Sequence, residues 1–141
     1  MHLIVYTSVY SGLSENLNRD VDAILTVSRR NNFSAGITGV IFCHDGRFLQ
    51  FLEGEEKSLR QLMDRVMSDE RHTEIRSLFD EPIQSRGFAD WSMDYFDVTR
   101  DEAISLSCLE RIRDVYRSNF VARTNTLVGI YKGFIEQGFP Q

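Results

Sequence analysis

Tyr6, Asn32 and Gln50 are polar residues standing where the surrounding pattern calls for apolar ones. In "GRFLQFLEGEE" (46–56), Phe48, Leu49, Phe51 and Leu52 form an apolar run with Gln50 in its middle. A primary amide left unpaired in an interior costs roughly 1–3 kcal/mol. Gln50 therefore needs a partner, from this protein or from something bound to it. Tyr6 shares an alternating strand face with Ile4, and Asn32 and Ser28 fall on the helical face of Val21 and Leu25. Each has a bland reading. Asn32 suits a helix C-cap, Tyr6 a half-buried phenol reaching water, and Gln50 a satisfied strand amide. Arg71 and His72 suit solvated cations at a helix C-terminus.

Taken together these residues point to a ligand. If two helices pack on one sheet face, a phenol, two primary amides, a hydroxyl and the Met93 thioether converge in an apolar slot. Such a slot describes a small-molecule site. Amides carry donors and an acceptor at once, which suits a flat heterocycle with ring nitrogens and carbonyls. Arg71 and His72, with Arg29 or Arg30, are placed to meet a phosphate at its mouth. Other chemistries find less support. There is no GxGxxG, no Walker loop and no Ser-His-Asp spacing. The acidic and basic residues of "SDERH" (68–72) read as a charged helix end. Cys43 and Cys108 have no His neighbour to activate a thiolate, and no CxxC pattern indicates zinc.

The elements that must position these residues are legible. Residues 2–8 alternate as a strand. Asn18 or Asp20 offers a start for a helix carrying Val21, Ile24, Leu25 and Ser28 and ending near "NNFSAG". Strands at 38–43 and 47–52 flank Asp45-Gly46, a strong hairpin signal. Leu59, Leu62, Met63 and Val66 mark a second helix, and 74–82 a strand ended by Pro82. In "FADWSMDYF" (88–96), Ala89, Trp91, Met93 and Tyr95 are expected on one strand face. The order β-α-β-β-α-β with a fifth strand predicts an α+β, ferredoxin-like sheet with two helices on one face. The opposite face needs a cover. Thr99 and Glu102 fit a capping box, Leu127, Ile130, Tyr131 and Phe134 form a stripe, and Gly138 reads as a stop. The expected division is 1–97 for the sheet domain and 98–141 for a helical extension covering it.

Composition narrows the partners. The 141 residues are 42% hydrophobic and 26% charged, a globular balance. A net charge of −5 argues against a nucleic-acid surface or a polybasic membrane patch. No run approaches the roughly 18 apolar residues of a spanning helix, and "MHLIVYTS" is not a secretory signal. A cytoplasmic chain is expected.

With these residues assembled, the chain resembles the BLUF domains, bacterial sensors of blue light using flavin. The resemblance covers about residues 2–97 and rests on "VYTS" (5–8), "NNFSAGITG" (31–39), "GRFLQFLEG" (46–54), "DERH" (69–72) and "FADWSM" (88–93). It implies FAD, or alternatively FMN, held between the two helices, with no metal. Tyr6 then matches the photoactive tyrosine, Gln50 the switching glutamine and Asn32 the asparagine on the isoalloxazine ring. Ile24 matches an aliphatic residue against the ring; Asp69, Arg71 and His72 match positions near the ribityl chain and phosphate. Trp91 and Met93 match a pair used next to the glutamine, and Asn31 stands at a position that varies in the family. Ser28 and Arg30 complete the expected cofactor contacts.

The resemblance also implies a mechanism. Under blue light Tyr6 donates an electron and then a proton through Gln50, whose amide returns rotated or as another tautomer. Strand five and the tail are the expected carriers of that change. No catalytic activity is expected. No effector domain is visible, so the expected listener is a separate, unidentified protein, and a homodimer is compatible with the sequence. Two other functions fit the fold class: a small acylphosphatase-like hydrolase, which needs a glycine-rich phosphate loop where only Gly12 stands, and a cofactor-free interaction module.

Overall fold

The structure is a computed structural model that describes residues 1–98, 102–118 and 124–137. Strand β1 (His2–Tyr10) leads through a 3-10 turn (Ser14–Asn16) into helix α1 (Leu17–Ala35). β2 (Thr38–His44) and β3 (Arg47–Gly54) follow, then α2 (Glu56–Ser68), β4 (His72–Pro82), β5 (Ser92–Asp97), α3 (Glu102–Ser118) and α4 (Thr124–Gln137). The sheet order is β4-β1-β3-β2-β5. The first four strands are antiparallel to their neighbours, and β5 lies parallel to β2. This is the expected ferredoxin-like sheet with an added strand.

Local chemistry sets the joints. Asp45 (φ 50°) and Gly46 (φ 76°) both take the left-handed region that a two-residue hairpin requires. α1 ends on Gly36 at φ 69°. The Ile37 N–H donates to the Asn32 carbonyl (2.8 Å) and the Gly36 N–H to that of Phe33 (3.2 Å), a Schellman ending. Gly36, not Asn32, thus stops the helix. The helix begins one residue before Asn18, because the 3-10 turn feeds directly into it. β4 begins at His72 rather than at residue 74, so His72 opens a strand instead of trailing a helix.

Alternation divides the side chains between two cores. One face of the sheet gathers Ile4, Tyr6, Ile41 and Leu52 with Val21 and Leu25 of α1 and Leu59 of α2. The other gathers Val40, Phe42 and Phe51 with Ile112 and Tyr116 of α3 and Leu127, Ile130, Tyr131 and Phe134 of α4. The tail stripe therefore lies against the face opposite α1 and α2, as expected. Thr99 of the expected capping box and Gly138 lie outside the described residues.

Strand five departs from the expected alternation. Gly39 pairs with Ser92 but Val40 with Asp94, so Met93 is an extra residue in the ladder. Its φ of 68° is rare for a side-chain-bearing residue. The bulge separates two residues expected on one face. Met93 joins the core with α1 and α2, whereas Trp91 packs on the far side against Phe88 and Phe96.

Candidate functional site

Tyr6 and Gln50 are direct cross-strand partners on β1 and β3, which brings side chains on one face within reach of each other. The Tyr6 hydroxyl donates to Gln50 Oε1, and both residues are buried. Gln50 Nε2 donates in turn to Met93 Sδ at 2.9 Å. The amide thus has protein partners at both ends, one of them a weak thioether acceptor. Burial, with the Asp69 charge adding to it, pushes the Tyr6 phenol well above its ordinary value. Tyr6 is a neutral hydrogen-bond donor throughout the physiological range.

A cleft of about 200 Å³ between α1 and α2 opens beside this chain of bonds. Tyr6, Gln50, Ile24, Ser28 and Asn32 line it, and Asn31, Asp69, Arg71 and His72 complete its rim and end. Asn32 is 1% exposed, yet its Oδ1 has no hydrogen-bond partner among the described residues. A buried, unpartnered acceptor is costly, and here it borders empty space. Asp69 grips Arg71 through its carboxylate, the Arg71 Nη2 contact being 2.7 Å, and this bond holds the Asp69 carboxyl below its usual range. His72 Nε2 donates to the Val66 carbonyl (2.9 Å), leaving Nδ1 to accept from the Ser8 hydroxyl (2.9 Å).

Other expected residues fall elsewhere. Arg30 is exposed on α1 and does not line the cleft. Arg29 also stays out of it and donates from Nε to the Met93 carbonyl at 3.3 Å. Met93 sits behind Gln50 rather than in the lining, and Trp91 is on the opposite side of the sheet. Two polar lining residues were not anticipated, Ser8 and Arg65. Ser8 had a signal, since it shares the strand face of Tyr6; Arg65, one position before Val66 at the end of α2, had none. Among the described residues no cluster of His, Cys, Asp or Glu is arranged to hold a metal, and no helix is long and apolar enough to cross a membrane.

Fold and cleft together define a sheet domain with a largely apolar cleft between two helices, lined by a phenol and amides. Comparison with known proteins specifies which. The family model for BLUF, "Sensors of blue-light using FAD", matches residues 1–94. The chain belongs to the BLUF family and is a flavin-binding sensor of blue light. It is 33% identical over 75 residues to a photoactivated adenylate cyclase subunit beta of Euglena longa, covering 52% of this chain and 9% of that protein. It is 25% identical over 84 residues to the blue light- and temperature-regulated antirepressor BluF of Escherichia coli, covering 60% of this chain and 21% of that one. This chain therefore matches only a minor part of either relative's length. Among solved structures, BlsA in its ground state has 34% identity and a TM-score of 0.68, covering 74% of this chain and 68% of that one. The BLUF protein BlrB in its dark state has 28% identity and a TM-score of 0.68, covering 90% and 94%.

The residues present fit a flavin. Asn32 Oδ1 is an acceptor without a donor, suited to the ring's imide N–H, and apolar side chains such as Ile24 flank the space.

Proposed function

We propose that Tyr6 and Gln50 are the photochemical switch of this sensor, with the flavin held by Ile24, Ser28, Asn31 and Asn32 and its phosphate end met by Asp69, Arg71 and His72. The observation that carries the reading is the bonded chain Tyr6–Gln50–Met93 running along a cleft that holds an unpartnered Asn32 oxygen. A bound flavin supplies blue-light absorption and, once excited, an acceptor for one electron. The neutral Tyr6 phenol can give an electron only if its proton leaves with it, and its hydroxyl already donates to Gln50. The two ends of the Gln50 amide are alike in shape and opposite in hydrogen-bonding sense. Rotating it turns an N–H group toward Tyr6 and an oxygen toward the Met93 sulfur, so both present bonds are broken. Tautomerisation of the same amide likewise changes which end donates.

FAD is the cofactor we propose, because the family description names it and the cleft end carries Arg65 beside the Arg71–Asp69 pair. The output is a separate protein, in cells whose cytoplasm holds this chain. The relative named as an antirepressor supports an output exerted on another protein. The hydrolase reading loses ground, since the Tyr10 ring fills the space beside Gly12. An absorption spectrum of the purified chain before and after blue light is the test. A yellow protein whose flavin bands shift to the red and recover in the dark is expected; a colourless protein, or one whose bands do not move, overturns the reading.

A further inference from the structure

Glu53 is 0% exposed, on the face of β3 opposite Gln50. Its carboxylate accepts the backbone N–H of Gly87 and, at 2.7 Å, that of Phe88. The neighbouring Arg86 donates to the Glu53 carbonyl (3.0 Å), to Thr38 Oγ1 (2.8 Å) and to the Gly36 carbonyl at the end of α1. The segment 86–88 is therefore tied to β3, β2 and α1 at once. α3 closes over it. The Tyr116 ring lies edge-on to Phe88 at 5.8 Å and stacks on Phe51 at 6.1 Å, and Arg111 sits over Trp91 at 4.8 Å.

This segment leads straight into the strained bulge. The Trp91 N–H donates to the Phe88 carbonyl (3.0 Å), and the Trp91 carbonyl accepts from Gly39 (2.9 Å). Two residues later Met93 holds its left-handed backbone conformation. Such strain costs on the order of 1–3 kcal/mol and persists only when its surroundings fix it. From the cleft side it is fixed by the Gln50 bond to its sulfur. From the chain side it is fixed by the pinned residues 87 and 88.

We propose that Glu53 is a positioning residue of the photoswitch: its buried carboxylate pins residues 87–88, which hold Met93 against Gln50, and the same clamp hands the change in Gln50 to α3. This rests on the switch proposed above. When Gln50 turns its oxygen toward Met93, the sulfur loses its donor and the bulge loses its restraint from the cleft side. What remains is the Arg29 bond to the Met93 carbonyl and the Glu53 clamp. Relaxation of the bulge then pulls on the loop beneath Tyr116 and Arg111, and α3 loosens.

Hydrogen exchange of the full, flavin-loaded chain in the dark and under blue light tests this, read alongside the absorption spectrum. In the native chain, light should speed exchange at residues 87–88 and over 108–116 by about tenfold or more, as loss of a buried hydrogen bond requires. Glu53→Gln sets an NH₂ against one of the two loop N–H groups. It should keep the light-induced red shift, exchange quickly at 87–88 already in the dark, and lose the light-dependent change in α3. Gly87→Ala offers a second route should that variant not fold. Its new Cβ would lie 2.9 Å from Val115 and 3.2 Å from the Tyr116 ring, prying loop from helix, with the same expected uncoupling. A red shift without faster exchange at 87–88 in the native chain, or a variant whose α3 still responds fully, overturns the clamp alone. A native chain with no red shift overturns the switch and the clamp together.

Discussion

The two faces of one sheet are built to opposite rules. Strand β3 shows this in two adjacent residues: Gln50 faces α1 and α2, while Phe51 faces α3 and α4. The tail-covered face is filled. Its aromatic rings interlock, as Phe42 does with Phe51 at 6.0 Å, Tyr131 at 5.1 Å and Phe96 at 6.1 Å. The other face is incomplete, with a cleft between its helices and an interior acceptor on Asn32 that the protein does not satisfy. The first arrangement maximises stability. The second holds stability back, leaving a costly polar atom for a ligand to complete. The filled face is not free of polar atoms: the buried Glu53 is occupied by loop amides, while the Thr7 and Tyr116 hydroxyls find no partner among the described residues, but none of these borders the cleft.

The sharpest way to break the comparison is to change one side chain on each face. Phe134→Ala deletes a side chain that is 0% exposed and should cost about 3–5 kcal/mol of stability, measured by denaturant unfolding. Gln50→Leu, of similar volume on the other face, leaves the buried Tyr6 hydroxyl without its acceptor and should cost less, roughly 1–3 kcal/mol. Its main effect should be on function: flavin stays bound, and blue light no longer produces the red-shifted state. Tyr6→Phe should behave likewise, keeping the ring and losing the donor. If either variant photoconverts normally, the Tyr6–Gln50 switch is wrong.

Asn32→Ala sharpens the contrast further. It removes an amide whose oxygen has no internal partner, so the apo-protein should lose little stability. Flavin affinity should instead fall about tenfold or more, the equivalent of a hydrogen bond of roughly 1–3 kcal/mol. Titration of apo-protein with flavin measures it, and unchanged affinity would show that the ligand does not use this oxygen.

Much of this asymmetry was legible in the sequence, and the reasons differ by residue. Gln50 and Tyr6 stood out because a strict two-residue period fixes which face each occupies. Asp45-Gly46 encoded its own turn. Arg30 was misplaced although the helical period excludes it: it lies about 200° around α1 from Ser28, on the exposed side. The separation of Trp91 from Met93 was hidden for a different reason. A bulge inserts one residue and reverses the parity of everything beyond it, and its cause is the contact of strand five with β2 and Gln50, far away in sequence. Glu53 carried half a signal. Three residues after Gln50, its parity placed it on the filled face, but the loop amides that satisfy it come from 34 and 35 positions downstream.

The smallest expected effect contrasts the two carboxylates by pH. Asp69, at the cleft, is held below its ordinary 3.8 chiefly by its hydrogen bonds to Arg71. The folded state binds its proton less tightly than the unfolded state, so Asp69 contributes stability above about pH 3.8 that is lost as pH falls through the lowered value. The contribution is small, because the pair is partly solvated and screened by salt. Glu53 has the reverse sign. Burial raises it above its ordinary 4.5 despite the loop amides, so the folded state binds this proton more tightly. Its contribution is present below about pH 4.5 and is lost as pH rises through the raised value. Unfolding free energies measured across this range should therefore slope differently in two variants. Asp69→Asn should flatten the loss on the acid side, and Glu53→Gln should flatten the decline above pH 4.5 while lowering the whole curve. A Glu53→Gln curve parallel to the native one would mean that the carboxylate has the same proton affinity folded and unfolded, and that the filled face holds it without electrostatic cost.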